Sequence, residues 1–318
     1  MPLAIDVHNG AKKTRYNVWS ENAVDSFTFS YTSHPDLVNV DADKVILWSK
    51  KDDKTADNFL FQYKTGNYLD RREAIEYFAS KPYEPKTAEL MKLALNDKYF
   101  GLRNMALNVT DLSKASLRTA LEPVVLKLAK SDPASTVRAS AIRTLGVTAD
   151  KQYADMYKKG VNDSSYSVAG ASLEALSLID EPGALALAKD QRTKANKGWL
   201  KESIMHSLAK SGDEATYDEL LANFLALDIQ SRFGEVENLS VYLQSLRNTE
   251  KFKKGVDELI SFKEGLPPAI KSQTDPYLAQ MLNNIMTAKQ KASTGDPSNA
   301  ALKEQADYIS GKLNKKGF

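Results

Sequence analysis

The chain has 318 residues, three histidines (His8, His34 and His206) and no cysteine. A zinc protease needs two histidines one helical turn apart, so that both imidazoles face one ion, and a glutamate beside the first as general base. None of the three histidines has a second histidine or an adjacent glutamate at that spacing. His34 precedes Pro35 in a turn, and His206 falls in a helical stretch where a hydrogen-bonded packing role is expected rather than ligation. Without cysteine there is no thiolate ligand, thiol nucleophile or disulfide. No glycine-rich phosphate loop and no G-x-S-x-G occurs. Carboxylates do cluster: Asp41 and Asp43 in VNVDADKV, then Asp52 and Asp53. Such pairs can hold calcium or move protons, but a solvated turn with side-chain-to-backbone hydrogen bonds is the expectation. Arg71-Arg72, flanked by Asp70 and Glu73, could grip a carboxylate, but local salt bridges at a helix start are the expectation. No catalytic, cofactor-binding or metal-binding residue is assigned.

The charged residues that do recur are spaced by a repeat. Asp97–Ala106 reads DKYFGLRNMA, Asp132–Ala141 reads DPASTVRASA and Asp163–Ser172 reads DSSYSVAGAS. The position five after the aspartate is apolar (Leu102, Val137, Val168), and the next is Arg103, Arg138 or Ala169. Extended both ways, Arg71, Arg103, Arg138, Ala169 and Lys201 stand 32, 35, 31 and 32 residues apart, and a further 33 reaches Gly234. A period of this length is that of stacked helix pairs, since one pair cannot bury its apolar face alone. The copies resemble HEAT repeats, in which the aspartate caps the turn and the arginine bonds to it or to the next repeat's aspartate, and this resemblance implies that Asp97, Arg103, Asp132, Arg138 and Asp163 form a structural ladder. The alternative is that the arginines face an acidic ligand.

Two hydrophobic periods set the elements that carry these residues. The first ~50 residues alternate as strands do: Tyr16 and Val18 share a face in Arg15–Trp19, and Phe27, Phe29 and Tyr31 share one in Ser26–Tyr31. Lys44–Trp48 (KVILW) is β-branched and apolar, and turn residues separate these runs, giving about four short strands. After Lys50 the charged stretch KKDDKTADN gives way to helical spacing, with stripes such as Leu117, Leu121, Val125, Leu128 and Leu239, Tyr242, Leu243, Leu246. Pro123 is expected to kink or break its helix. Tyr63, Tyr68, Tyr77 and Phe78 are expected in the core where the first helix meets the sheet. KQKASTGDPSNA reads as a linker, with Asp296 capping a last helix that presents Leu302, Ala306, Ile309 and Leu313 on one face. The expected divisions are residues 1–50, 51–290 and 291–318.

With 43 basic and 41 acidic residues the net charge is +2, and no field of one sign points to nucleic acid. No run of ~18 apolar residues could span a membrane, and MPLAIDVHNGAKK is not a signal peptide. Compartment is left open.

The repeat copies resemble HEAT repeats. This predicts a mainly α, HEAT-like α-α superhelix, preceded by a small antiparallel β-sandwich portion. PDLVNVDADKVILWSKKDDKT followed by FQYKTGNYLDRREAIEYFA, with KKTRYNVWSENAVDSFTFSY before it, is also similar to the sandwich-to-helical junction of bacterial M1-family zinc aminopeptidases. That likeness covers residues 2 to 290 or so. It lacks the family's H-E-x-x-H and G-x-M-E-N, so no catalytic residue is carried over. It implies that this chain is the non-catalytic end of such an enzyme, closing over a zinc-bearing catalytic domain and limiting access of peptide substrates. The alternative is a free-standing HEAT-like scaffold that binds a protein partner.

Overall fold

The computed structural model describes residues 1–31, 33–48, 50–192, 194, 197–211 and 214–314. The chain divides into two compact units, Met1–Thr148 and Ala149–Phe318.

The first unit opens with three strands, β1 (Pro2–Asn9), β2 (Lys12–Trp19) and β3 (Leu37–Val40), in the order β2-β1-β3, both pairs antiparallel. The β1–β2 loop has only Gly10 and Ala11, and Gly10 takes φ 57°, the left-handed conformation such a tight hairpin requires. Two of the expected strands do not form. Ser26–Tyr31 has no ladder partner, although Phe29 stacks on Tyr16 with ring centroids 4.0 Å apart. Lys44–Trp48 is irregular, and Leu47 is fully exposed. The reason is local. The Asp41 carboxylate accepts from the Val45 and Ile46 amides (3.2 and 3.3 Å), and Asp41 and Lys44 both take positive φ, which folds the chain into a turn. The sheet is therefore a single layer and not a sandwich.

Six helices follow: α1 (Ala56–Thr65), α2 (Tyr68–Ala79), α3 (Thr87–Leu95), α4 (Phe100–Val109), α5 (Ala115–Ser131) and α6 (Ser135–Gly146). Thr55 with Asn58, and Asn67 with Asp70, make reciprocal capping boxes that fix where α1 and α2 begin. α2, α4 and α6 pack as one layer and α3 and α5 as another, each pair closing a hairpin. Phe78, Leu90, Leu95, Ala106, Leu121, Val125 and Leu145 are buried between them. Tyr63 and Phe78 lie in this core and Tyr77 stacks on Phe59, whereas Tyr68 is largely exposed. α5 runs unbroken through Pro123. Pro123 and Thr119, whose carbonyl loses its donor, are both on the wet face, so water can replace the missing hydrogen bond.

The second unit has a short 3-10 turn (Lys151–Tyr153), then α7 (Ala154–Gly160), α8 (Tyr166–Ser177), α9 (Glu181–Arg192), α10 (Gly198–Ser211), α11 (Glu214–Ala226), α12 (Ile229–Ser245), α13 (Thr249–Glu264), α14 (Pro268–Gly295) and α15 (Ala300–Leu313). α8, α10, α12 and α14 pack side by side, each beside its hairpin partner. A core of Tyr217, Phe224, Leu239, Tyr242, Leu243, Phe252, Phe262, Leu282, Ile285 and Ile309 joins α11 to α15. The expected linker is instead the last turns of α14. Asp296 closes that helix and does not cap the next; α15 starts after Asn299, with no side-chain cap. Burial explains this: Ile285 and Lys289 are both under 2% exposed, so the helix continues to keep them covered. Of the predicted α15 face, Leu302, Ala306 and Ile309 are buried.

Candidate functional site

The repeat aspartates share one job. Asp97, Asp132 and Asp163 each accept, through Oδ1, the amide of the residue two on (Tyr99, Ala134 and Ser165, at 2.8–2.9 Å), closing the turn into α4, α6 and α8. Arg71 and Arg103 join successive copies. Arg103 donates to the Asp97 carbonyl of its own copy (2.8 Å) and, bidentately, to the Asp132 carboxylate of the next (2.7 and 2.8 Å). Arg71 Nε stands 3.2 Å from Asp97 Oδ2 in the same relation, and Tyr63 donates to that oxygen at 2.7 Å. Arg138 donates to the Asp132 carbonyl at 3.1 Å. Arg103 and Asp132 are under a tenth exposed, so this pair is committed to packing and offers nothing to a ligand.

Of the clustered carboxylates, Asp41, Asp43 and Asp52 are likewise engaged within the fold, Asp41 by the Val45 and Ile46 amides, and Asp53 is exposed. Asp43 meets Arg15 (2.9 Å), and Asp52 meets Lys50 and Lys54 (3.0 and 2.8 Å). Arg72 pairs with Glu76. A cleft of about 560 Å³ beneath the sheet is lined by Asp6, His8, Lys13, Arg15 and Asp70. Its charges also cancel: Arg15 forks onto the buried Asp6 (2.7 and 2.9 Å) and holds that carboxyl below its usual range, while Lys44 sits 3.1 Å from Asp70. His8 lies edge-on to Phe61, and burial pushes its imidazole pKa down. His34 Nδ1 lies 3.0 Å from the neighbouring Pro35 carbonyl, to which it can only donate. Among the described residues no three His, Asp or Glu side chains converge as a metal site.

One place differs. In the second unit a groove of about 370 Å³ crosses α8, α10 and α12, lined by Glu174, Trp199, Glu202, His206, Glu237 and Asn238 among others. Its floor exists because Gly170 lets α10 approach α8: a Cβ there would lie 2.2 Å from Trp199 Cδ1 and 2.7–2.8 Å from the Trp199 and Leu200 backbone. Trp199 donates its indole N–H to Glu174 at 3.3 Å and stays 38% exposed. His206 Nδ1 is 3.1 Å from Asn238 Oδ1, and Asn238 donates to Glu235 at 2.9 Å, which fixes that wall. Glu174, Glu202 and Glu237 are exposed, and none forms an ion pair with a lysine or arginine among the described residues. Sequence reasoning noticed His206 alone of this set. Glu174 and His206 do occupy equivalent positions, five after Ala169 and Lys201, but Glu202 and Glu237 do not, so the periodicity gave no reason to group them.

A family model for HEAT repeats matches residues 122–209, under half of the chain. No curated protein matches. Among solved structures, the complex of CpcE and CpcF of phycocyanin lyase from Nostoc sp. PCC7120 aligns at 13% identity over 76% of this chain and 98% of that one, TM-score 0.46. Human deoxyhypusine hydroxylase in complex with glycerol aligns at 13% identity over 82% of this chain and 96% of that one, TM-score 0.35. At these scores neither carries an argument about function. The fold is thus mainly helical and HEAT-like, with a small antiparallel sheet at its start. The likeness to M1 aminopeptidases does not hold. The family model that matches is one of HEAT repeats, and two of the sandwich strands the likeness implied are a turn and an irregular segment. Nothing supports the zinc-bearing catalytic domain or its peptide substrates as partners. No described helix is long and apolar enough to cross a membrane.

Proposed function

We propose that this chain is a protein-binding scaffold whose stacked helix pairs present a docking face on α8, α10 and α12. The observation that supports it is the groove itself: neighbouring helices of one layer carry an exposed indole and three carboxylates that pair with no lysine or arginine among the described residues, while the ion pairs around Asp6, Asp70, Asp97 and Asp132 are closed within the structure. Side chains that do not hold the fold together, gathered along one face of a repeat, are available for recognition.

The test is position-specific photocrosslinking in cells that make the protein. A benzophenone side chain replaces Ser177 or Gly234 at the groove, or Lys189 on the exposed side of α9, in the other layer. One discrete adduct is expected at both groove positions and none at Lys189. The crosslinked polypeptide, purified separately, is expected to bind the intact chain saturably. Equal adducts at all three positions, or no saturable binding, overturn the scaffold reading.

A further inference from the structure

We propose that the groove receives a basic peptide segment, with an arginine or lysine side chain lying among Glu174, Glu202 and Glu237 against the Trp199 indole. This rests on the scaffold reading and names the partner's chemistry.

Charge complementarity carries it. Three carboxylates share one cavity of about 370 Å³, in a chain that holds 43 basic residues and a net charge of +2, yet no described lysine or arginine pairs with any of them. Like charges gathered without a counter-charge repel one another, and a cation placed among them relieves that repulsion. The indole adds a second, independent preference. Its N–H donates to Glu174 while the residue stays 38% exposed, and an aromatic face attracts a guanidinium or ammonium group. Carboxylates beside an aromatic face suit arginine best, because its planar group can stack and donate at once. His206 and Ser177 supply polar atoms along the walls for the main chain of an extended peptide. Nucleic acid is disfavoured, since its phosphates would meet the same carboxylates.

The experiment uses the full chain and fluorescein-labelled twelve-residue peptides, read by anisotropy: one arginine- and lysine-rich, one in which glutamine replaces every basic residue, and one glutamate-rich. A single-stranded oligonucleotide completes the set. Only the basic peptide is expected to bind, more weakly as salt is raised. Glu202→Gln with Glu237→Gln should weaken it by about 4- to 25-fold, each exposed pair counting for a factor of about 2 to 5. Glu181→Gln with Glu250→Gln, which changes net charge equally on exposed sites away from the groove, should leave it within about twofold. Glu202→Lys with Glu237→Lys should transfer preference to the glutamate-rich peptide. The inference is overturned if the glutamine peptide or the oligonucleotide binds as well as the basic one. It is overturned equally if the two glutamine pairs weaken binding alike. If no peptide binds while the crosslinked partner still does, this inference falls and the scaffold reading stands; if neither binds, both fall.

Discussion

Lys289 is an ammonium group sealed in a core. It lies in α14 at 1% exposure, its Nζ donates to the Leu246 carbonyl, and it sits 5.0 Å from the centre of the Phe252 ring. No carboxylate pairs with it among the described residues. Burial, and secondly the charge of Arg247, push its pKa down from 10.5 to about 8. At about 1.4 kcal/mol per unit, that costs the charged form roughly 3 kcal/mol in the folded state. The sign follows from proton binding. Below pH 8 both folded and unfolded chains hold the proton and the cost is carried in full. Between about 8 and 10.5 the unfolded chain still holds it and the folded chain does not, so rising pH stabilises the fold. Lys289→Met removes the charge but leaves the Leu246 carbonyl without its donor, a loss of about 1–2 kcal/mol. Near pH 7 the variant should therefore be about 1–2 kcal/mol more stable than the parent by urea denaturation. The firmer reading is the change in that difference. Between pH 7.5 and 9.5 the parent should recover about 2 kcal/mol on the variant, because other titrating groups are common to both. A difference that stays constant across that range would show that the Lys289 pKa is not depressed, and the argument would fail.

Two further outcomes follow from the packing. Arg103→Met leaves the buried Asp132 carboxylate without its fork and should destabilise the first unit by about 3–5 kcal/mol, read as a lowered urea midpoint; a loss under about 1 kcal/mol would mean the pair is dispensable. Gly170→Ala places a Cβ against the α10 backbone and should cost about 1–3 kcal/mol, while Gly160→Ala, which meets only the Ser172 side chain, should cost less; the two thermal midpoints decide, and equal shifts would refute the close approach.

The class of fold was legible because it depends on period. Alternation in Arg15–Trp19 and helical stripes beyond residue 50 are properties of neighbouring residues, and the 31–35-residue spacing of Asp and Arg is a property of the string. The same local reasoning misplaced Ser26–Tyr31 and Lys44–Trp48. A strand exists only where another edge offers hydrogen bonds, and a carboxylate such as Asp41 can take the amides first. It also read Lys289–Gly295 as part of a linker, since composition does not reveal that Lys289 is covered.

The sequence by itself determined that helix pairs would repeat and which positions carry charge, because both are written in intervals along the chain. Only the tertiary structure decided which aspartate each arginine takes, and which carboxylates find no counter-charge among the described residues. Arg103 reaches 29 residues ahead to Asp132, while Glu174, Glu202 and Glu237 come together from three helices at unrelated repeat positions. Coulomb interaction depends on distance in space, and distance in space between helices is set by the packing of small residues such as Gly170.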